Sequence, residues 1–139
     1  MELDDKIRVL MIDDMPPICL LVKKILIRMG LSNIDTCHNG GDGWVKVEQA
    51  HLSGNPYGLL LCDWNMPQSG LELLKRIRSS GVDGIKELPF IMITCEVFED
   101  QVRLAFKEGA SNYIAKPFEI ETVEKKVKET LVKNGVLSA

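Results

Sequence analysis

The chain has 139 residues, 45% of them hydrophobic, a formal net charge of −3 and a pI near 5.4. That length suits one domain, expected to span 1–139 with a core at about 6–133, and the composition supplies a core without disulfide or metal staples. The acidic balance argues against a nucleic-acid surface, no apolar run is long enough to span a bilayer, and the start MELDD is wrong for a secretory signal, so a cytoplasmic protein is expected.

IRVLMI (7–12) is an apolar run with one charge and reads as a strand. Pro16 and Pro17 then open a helical pattern that stops at Gly30, as proline suits a helix's first turn and glycine the position past its end. NIDTC (33–37) is a short strand and GDGWVKVEQAHLS (41–53) a helix. YGLLLC (57–62) is a strand apolar on both faces, and LELLKRIRSS (71–80) an amphipathic helix ending at Gly81. PFIMIT (89–94) is another two-sided strand, and FEDQVRLAFKEG (98–109) a helix with acids in its first turn. NYIA (112–115) is a short strand, and EIETVEKKVKETLVK (119–133) a long, exposed final helix stopped by Asn134 and Gly135.

Strands buried on both faces and alternating with helices imply a parallel sheet covered on each side. Right-handed crossovers give a doubly wound α/β domain, whose sites form at the carboxyl ends of the strands. Four strand ends carry chemistry: Asp13-Asp14, Asp63, Thr94 and Lys116-Pro117. Taken singly, the aspartates read as helix caps or turn residues and Lys116 as a surface lysine. Together they place three mutually repelling carboxylates on one rim, which need compensation. A hard, partly hydrated cation such as Mg²⁺ supplies it, and Lys116 adds a second positive charge. Such a set suits phosphoryl chemistry, with metal and lysine neutralising equatorial oxygens while a carboxylate attacks in line.

Cys19, Cys37, Cys62 and Cys95 form no CxxC pair and read as reduced, mostly buried thiols, Cys95 being the one beside functional neighbours. His38 and His51 lack ligand-spaced companions and read as ordinary polar residues.

The sequence resembles the receiver domain of bacterial two-component response regulators, most closely the single-domain chemotaxis type. The resemblance covers roughly 6–133 and rests on Asp13-Asp14, DWNMP (63–67), GLELLKRIR (70–78), TCE (94–96) and EGASNYIAKPF (108–118). It implies a flavodoxin-like (βα)5 three-layer sandwich with a five-stranded parallel sheet. The order 2-1-3-4-5 comes from the resemblance, being the chemotaxis receiver's own, and not from the strand pattern.

Asp63 is implied as phosphoacceptor from a phosphohistidine. Asp13, Asp14, Asp63 and the backbone carbonyl of Asn65 are implied as Mg²⁺ ligands, Asp13 directly or through water. Lys116 and Thr94 would contact the phosphoryl group, and the N–H groups of Asn65 and Cys95 would complete its cage. Tyr113 would swing inward when Thr94 moves; read without the family it is a core aromatic with its hydroxyl at the surface. Asn65 and Glu96 would tune hydrolysis, Trp64 would lie half-exposed over the site, and Lys116-Pro117 would be cis.

Two departures stand out. Only Gln68 and Ser69 separate Pro67 from Gly70, one residue fewer than the usual pattern, which would reshape the start of the next helix. Val97, Phe98, Glu99 and Asp100 replace a more basic stretch, either as helix-start acids or as the mark of a different partner.

Only NGVLSA follows the last helix, so no output domain is expected and signalling would pass to a partner in trans. The implied partners are a histidine kinase, a target on the face made by 98–109, 112–115 and 119–133 (the flagellar motor switch is one candidate), and a phosphatase, with the protein mostly monomeric. Lys125, Lys126 and Lys128 border that face and read as solvated surface. Three alternatives stay open: a phosphorelay carrier serving a histidine phosphotransfer protein; an aspartyl-phosphate phosphatase, which would want an acid where Asn65 stands; and a flavodoxin-like electron carrier, whose phosphate loop Asp13-Asp14 would repel.

Overall fold

A computed structural model describes residues 6–137. Five strands, β1 (Val9–Ile12), β2 (Ile34–Cys37), β3 (Leu59–Cys62), β4 (Phe90–Thr94) and β5 (Asn112–Ala115), form one sheet. The order is β2-β1-β3-β4-β5 and every pairing is parallel.

Side chains alternate across a strand, and the sheet uses both faces. Leu10, Ile12, Leu60, Cys62, Phe90 and Met92 enter one core, Val9, Met11, Leu59, Leu61, Ile91 and Ile93 the other. Helices α1 (Pro16–Arg28) and α6 (Ile120–Lys133) cover the second core through Val22, Leu26, Val123, Val127 and Leu131. Helices α2 (Gly40–Leu52), α3 (Gly70–Arg78), α4 (Asp83–Lys86) and α5 (Glu99–Lys107) cover the first through Val47, Leu73, Ile77, Ile85 and Ala105. The three-layer α/β sandwich is therefore the expected one. No described helix is long and apolar enough to cross a membrane.

Two expectations need correction. The final helix is not exposed along one side: Val123, Val127 and Leu131 fall at intervals of four and are fully buried. The four-residue α4 was not expected, because one turn is too short to show a period. Its place is set by Arg78, which leaves the end of α3 and donates to the carbonyls of Lys86, Leu88 and Gly109 at 2.7–2.9 Å.

At the amino-terminal end of the sheet the Tyr57 hydroxyl donates to Asp35 at 2.7 Å, and Arg8 stacks 4.4 Å above the Tyr57 ring while pairing with Asp35 at 2.8 Å. The Tyr57 hydrogen bond, working against partial burial and with Arg8, holds the Asp35 carboxyl below its ordinary pKa. A depressed carboxylate contributes stability above its unfolded pKa of about 3.9, lost as pH falls through the folded value. Tyr57→Phe is expected to lose about 1 kcal/mol at pH 7. The difference from wild type should shrink below about pH 4, as read by urea unfolding across pH.

Candidate functional site

The sheet ladders continue one residue past the strands and so place the rim residues. Asp13 N–H donates to the Cys37 carbonyl at 3.1 Å, Asp63 N–H to Ile12 at 2.9 Å and Lys116 N–H to Thr94 at 2.9 Å. Asp13 and Asp63 follow directly from the paired residues Ile12 and Cys62. Their side chains become neighbours because the register leaves them no other place.

Burial there is severe. Asp13 and Thr94 are fully buried and Asp63 is 5% exposed, while Asp14 opens to solvent. Oxygens of Asp13, Asp14 and Asp63 lie within 4.8 Å of one another. The Lys116 ammonium reaches between two of them, 2.7 Å from Asp13 Oδ2 and 3.4 Å from Asp63 Oδ2. The remaining oxygens find backbone donors: Met15 N–H on Asp13 Oδ1 at 2.9 Å, and Asn65 N–H on Asp63 Oδ1 at 3.3 Å. Burial pushes the Asp63 carboxyl above its usual range; Lys116 pulls it back in part and Asp13 adds to the rise. Burial alone would lower Lys116, but the carboxylates of Asp13 and Asp63 outweigh it and hold the ammonium above its ordinary value. Hard carboxylate oxygens clustered this closely fit a divalent cation of the Mg²⁺ or Ca²⁺ kind.

Glu96 gathers the rest. Its N–H donates to the Thr94 hydroxyl oxygen at 3.2 Å, its carboxylate accepts from the Asn65 amide at 2.9 Å, and its carbonyl accepts the Tyr113 hydroxyl. Tyr113 is 6% exposed, its ring tilted against Phe106 with centroids 6.4 Å apart. Burial, with the nearby Glu96 charge, pushes its hydroxyl up to about 12. Tyr113 thus lies inward already, its ring buried and its hydroxyl on the Glu96 carbonyl.

A groove of about 590 Å³ opens beside the acids. Asp14, Asp63, Asn65, Cys95 and Lys116 form its polar end, and Met15, Ile18, Leu21, Pro117 and Phe118 its apolar wall. Cys95 is exposed there, while Cys19, Cys37 and Cys62 are buried; all four are free thiols. The Lys116–Pro117 bond is cis. Trp64 is half-buried, packs with Met66 against the first core and is not among the residues lining this groove.

Sequence reasoning missed two residues. His38 donates from Nδ1 to the Asp13 carbonyl at 2.9 Å. It directly follows β2, so the strand-end rule that found the others could have found it. Gln68, in the shortened loop, has φ 56 and accepts the N–H groups of Gly40 and Gly41 at 3.0 Å each. The loop then turns so tightly into α3 that a Cβ on Gly70 would lie 2.1 Å from the Asp63 carbonyl. Ser69 caps α3 by accepting Glu72 N–H at 3.2 Å.

Comparison with known proteins gives one consistent result. Residues 9–128 match the response regulator receiver domain. The chemotaxis protein CheY1 of Helicobacter pylori is 34% identical over 128 residues, covering 91% of this chain and 98% of that one. A CheY homolog of Campylobacter jejuni is 30% identical, covering 89% and 92%. The structure of Vibrio cholerae CheY4 superposes with a TM-score of 0.78 at 27% identity, covering 90% and 98%.

Removing the ammonium would leave two buried carboxylates unpaired. Lys116→Met is expected to lose about 3 kcal/mol at pH 7. Adding Asp13→Asn should recover part of the loss, and urea unfolding of the single and double variants checks both.

Proposed function

The chain belongs to the response regulator receiver domain family, and on that premise we propose that it is a stand-alone phosphorylation switch acting in chemotaxis or motility. An Asp63 oxygen attacks the phosphorus of a phosphohistidine on a histidine kinase. The N–P bond breaks, an acyl phosphate forms on Asp63, and the imidazole leaves and takes up a proton. The observation that carries this reading is Lys116 held between Asp13 and Asp63 at the mouth of an open groove. A buried cation already balancing two carboxylates can follow added negative charge at Asp63.

Asp13, Asp14, Asp63 and the Asn65 carbonyl would hold Mg²⁺, which when bound neutralises phosphoryl oxygens. Lys116 takes one phosphoryl oxygen, the Thr94 hydroxyl another, and the N–H groups of Asn65 and Cys95 the rest. The protein turns over no outside substrate; its chemistry is its own phosphorylation and dephosphorylation. Asn65 and Glu96, bridged across the mouth at 2.9 Å, set the access of water to the acyl phosphate.

Thr94, turning toward the phosphoryl group, gives up its bond with Glu96 N–H, and Glu96 also holds Tyr113. The β4–α5 loop therefore carries the signal to the face of α5, β5 and α6, where a protein partner reads it. Since Tyr113 already lies inward, phosphorylation secures that placement instead of creating it. A full switch, about 1:99 to 99:1, takes about 5.5 kcal/mol, within reach of a few charge-assisted hydrogen bonds at roughly 1.5–3 kcal/mol each.

A second reading, a phosphorelay carrier, draws on the apolar groove wall. Met15, Leu20 and Leu21 are 54%, 54% and 43% exposed on the α1 side, a surface suited to a helical phosphotransfer protein. Back-transfer of phosphate to such a protein would separate it from a terminal switch.

Intact mass after incubation with acetyl phosphate is the direct test. One phosphoryl adduct, requiring Mg²⁺ and absent in Asp63→Asn, is the expected result. No adduct on folded wild-type protein would overturn the reading.

A further inference from the structure

The sheet ladder holds Asp13 and Asp63 but ends there, so Asp14 and the segment from Trp64 to Ser69 lie on loops that repulsion among the acids would push apart. The loop carrying Asp63 is also short, and it reaches its helix through Gln68 at φ 56, a conformation uncommon outside glycine. Something holds this loop in place, and the bonds at the start of α2 show what does.

The first four N–H groups of a helix lack partners within it and form the positive end of its dipole. In α2 those of Gly40, Gly41 and Asp42 are taken. Asp42 N–H donates to the Asn39 side chain at 2.7 Å, and Gly43 N–H begins the helix ladder on the Asn39 carbonyl at 3.0 Å. Gly40 and Gly41 N–H donate outside the helix, to the carbonyl and the side-chain oxygen of Gln68. The approach is close: a Cβ on Gly40 would lie 2.3 Å from the Gln68 carbonyl oxygen. At the other side of the same turn, His38 donates to the Asp13 carbonyl, immediately before Asp14. The start of α2 is thus bonded to the loop of Asp13-Asp14 through His38 and to the loop of Asp63 through Gln68.

We infer that this series of bonds is a brace that sets how the loops of Asp14 and Asp63 face each other across the acid cluster, making Gln68 and His38 positioning residues for the cation. Neither touches the cation or the phosphoryl group; each acts through the carboxylates. The inference rests on the reading that the acids take Mg²⁺. It also accounts for the shortened loop: the missing residue is compensated by a side chain that ties the loop to a helix end.

The test is Mg²⁺ titration of the unphosphorylated protein, by calorimetry, beside urea unfolding of each variant. Gln68→Ala removes one of the two bonds and should weaken Mg²⁺ binding about tenfold, the usual scale for outer partners of a metal site. Gln68→Glu keeps an acceptor facing the positive helix end and should bind within about twofold of wild type. Gly40→Ala pushes the loop away and should weaken binding at least as much as Gln68→Ala. His38→Phe should also weaken it. These losses should appear without a matching order of unfolding free energies, as a merely structural role would require. Wild-type binding with Gln68→Ala and His38→Phe unchanged would overturn the brace and leave the switch reading intact. Failure of wild type to bind Mg²⁺ at all would overturn both.

Discussion

The ion pairing of Lys116 with Asp13 and Asp63 is the interaction on which the rest of the molecule depends. At an effective dielectric of about 20, like charges about 4 Å apart repel by about 4 kcal/mol. A domain of this size holds only about 5–15 kcal/mol of net stability. Two buried carboxylates side by side would use much of that. Lys116, 2.7 Å from one and 3.4 Å from the other, is what lets the strands reach their register with acids at their ends. Offsetting is incomplete: Asp63 still sits above its ordinary pKa. Burial is the larger cause of that rise and the Asp13 charge adds to it, so a cation held by the three acids would oppose it.

The fold supplies the geometry that the electrostatics alone would oppose. Because strands are parallel, all their carboxyl ends lie on one rim. Because pairing continues for one residue past β1, β3 and β5, the backbone of Asp13, Asp63 and Lys116 is held by the sheet. Their neighbours are fully buried apolar residues from β1, β3 and β4, so these residues cannot relax toward water without unpacking a core. Rigidity on one side and open solvent at Asp14 on the other define a site accessible from a single direction.

Much of this was legible in the residues. Alternation of apolar runs with helical patterns is a local property, and it identified all five strands and the long helices. The acids and Lys116 were legible because each terminates such a run. What could not be read depends on neighbours distant in sequence. Arg78 looks like one more charge in the last turn of a helix, and only the packed chain shows three carbonyls converging on it. Gln68 looks like a loop residue; its bonds are to a helix 27 positions earlier. The outer charges of α6 concealed a stripe at intervals of four that the sheet had reason to bury.

Glu96 shows how a local site comes to speak to a distant face. One residue bonds Thr94 through its N–H, Asn65 through its carboxylate and Tyr113 through its carbonyl. The three contacts therefore meet at a single residue. The next residues, Val97 and Phe98, are 57% and 72% exposed at the start of α5, so whatever moves Glu96 re-aims them. Coupling over this distance needs no long chain of contacts, only one loop whose backbone is bonded at both ends and whose side chains face solvent. Under the proposed switch, this loop is the element that would move between two positions.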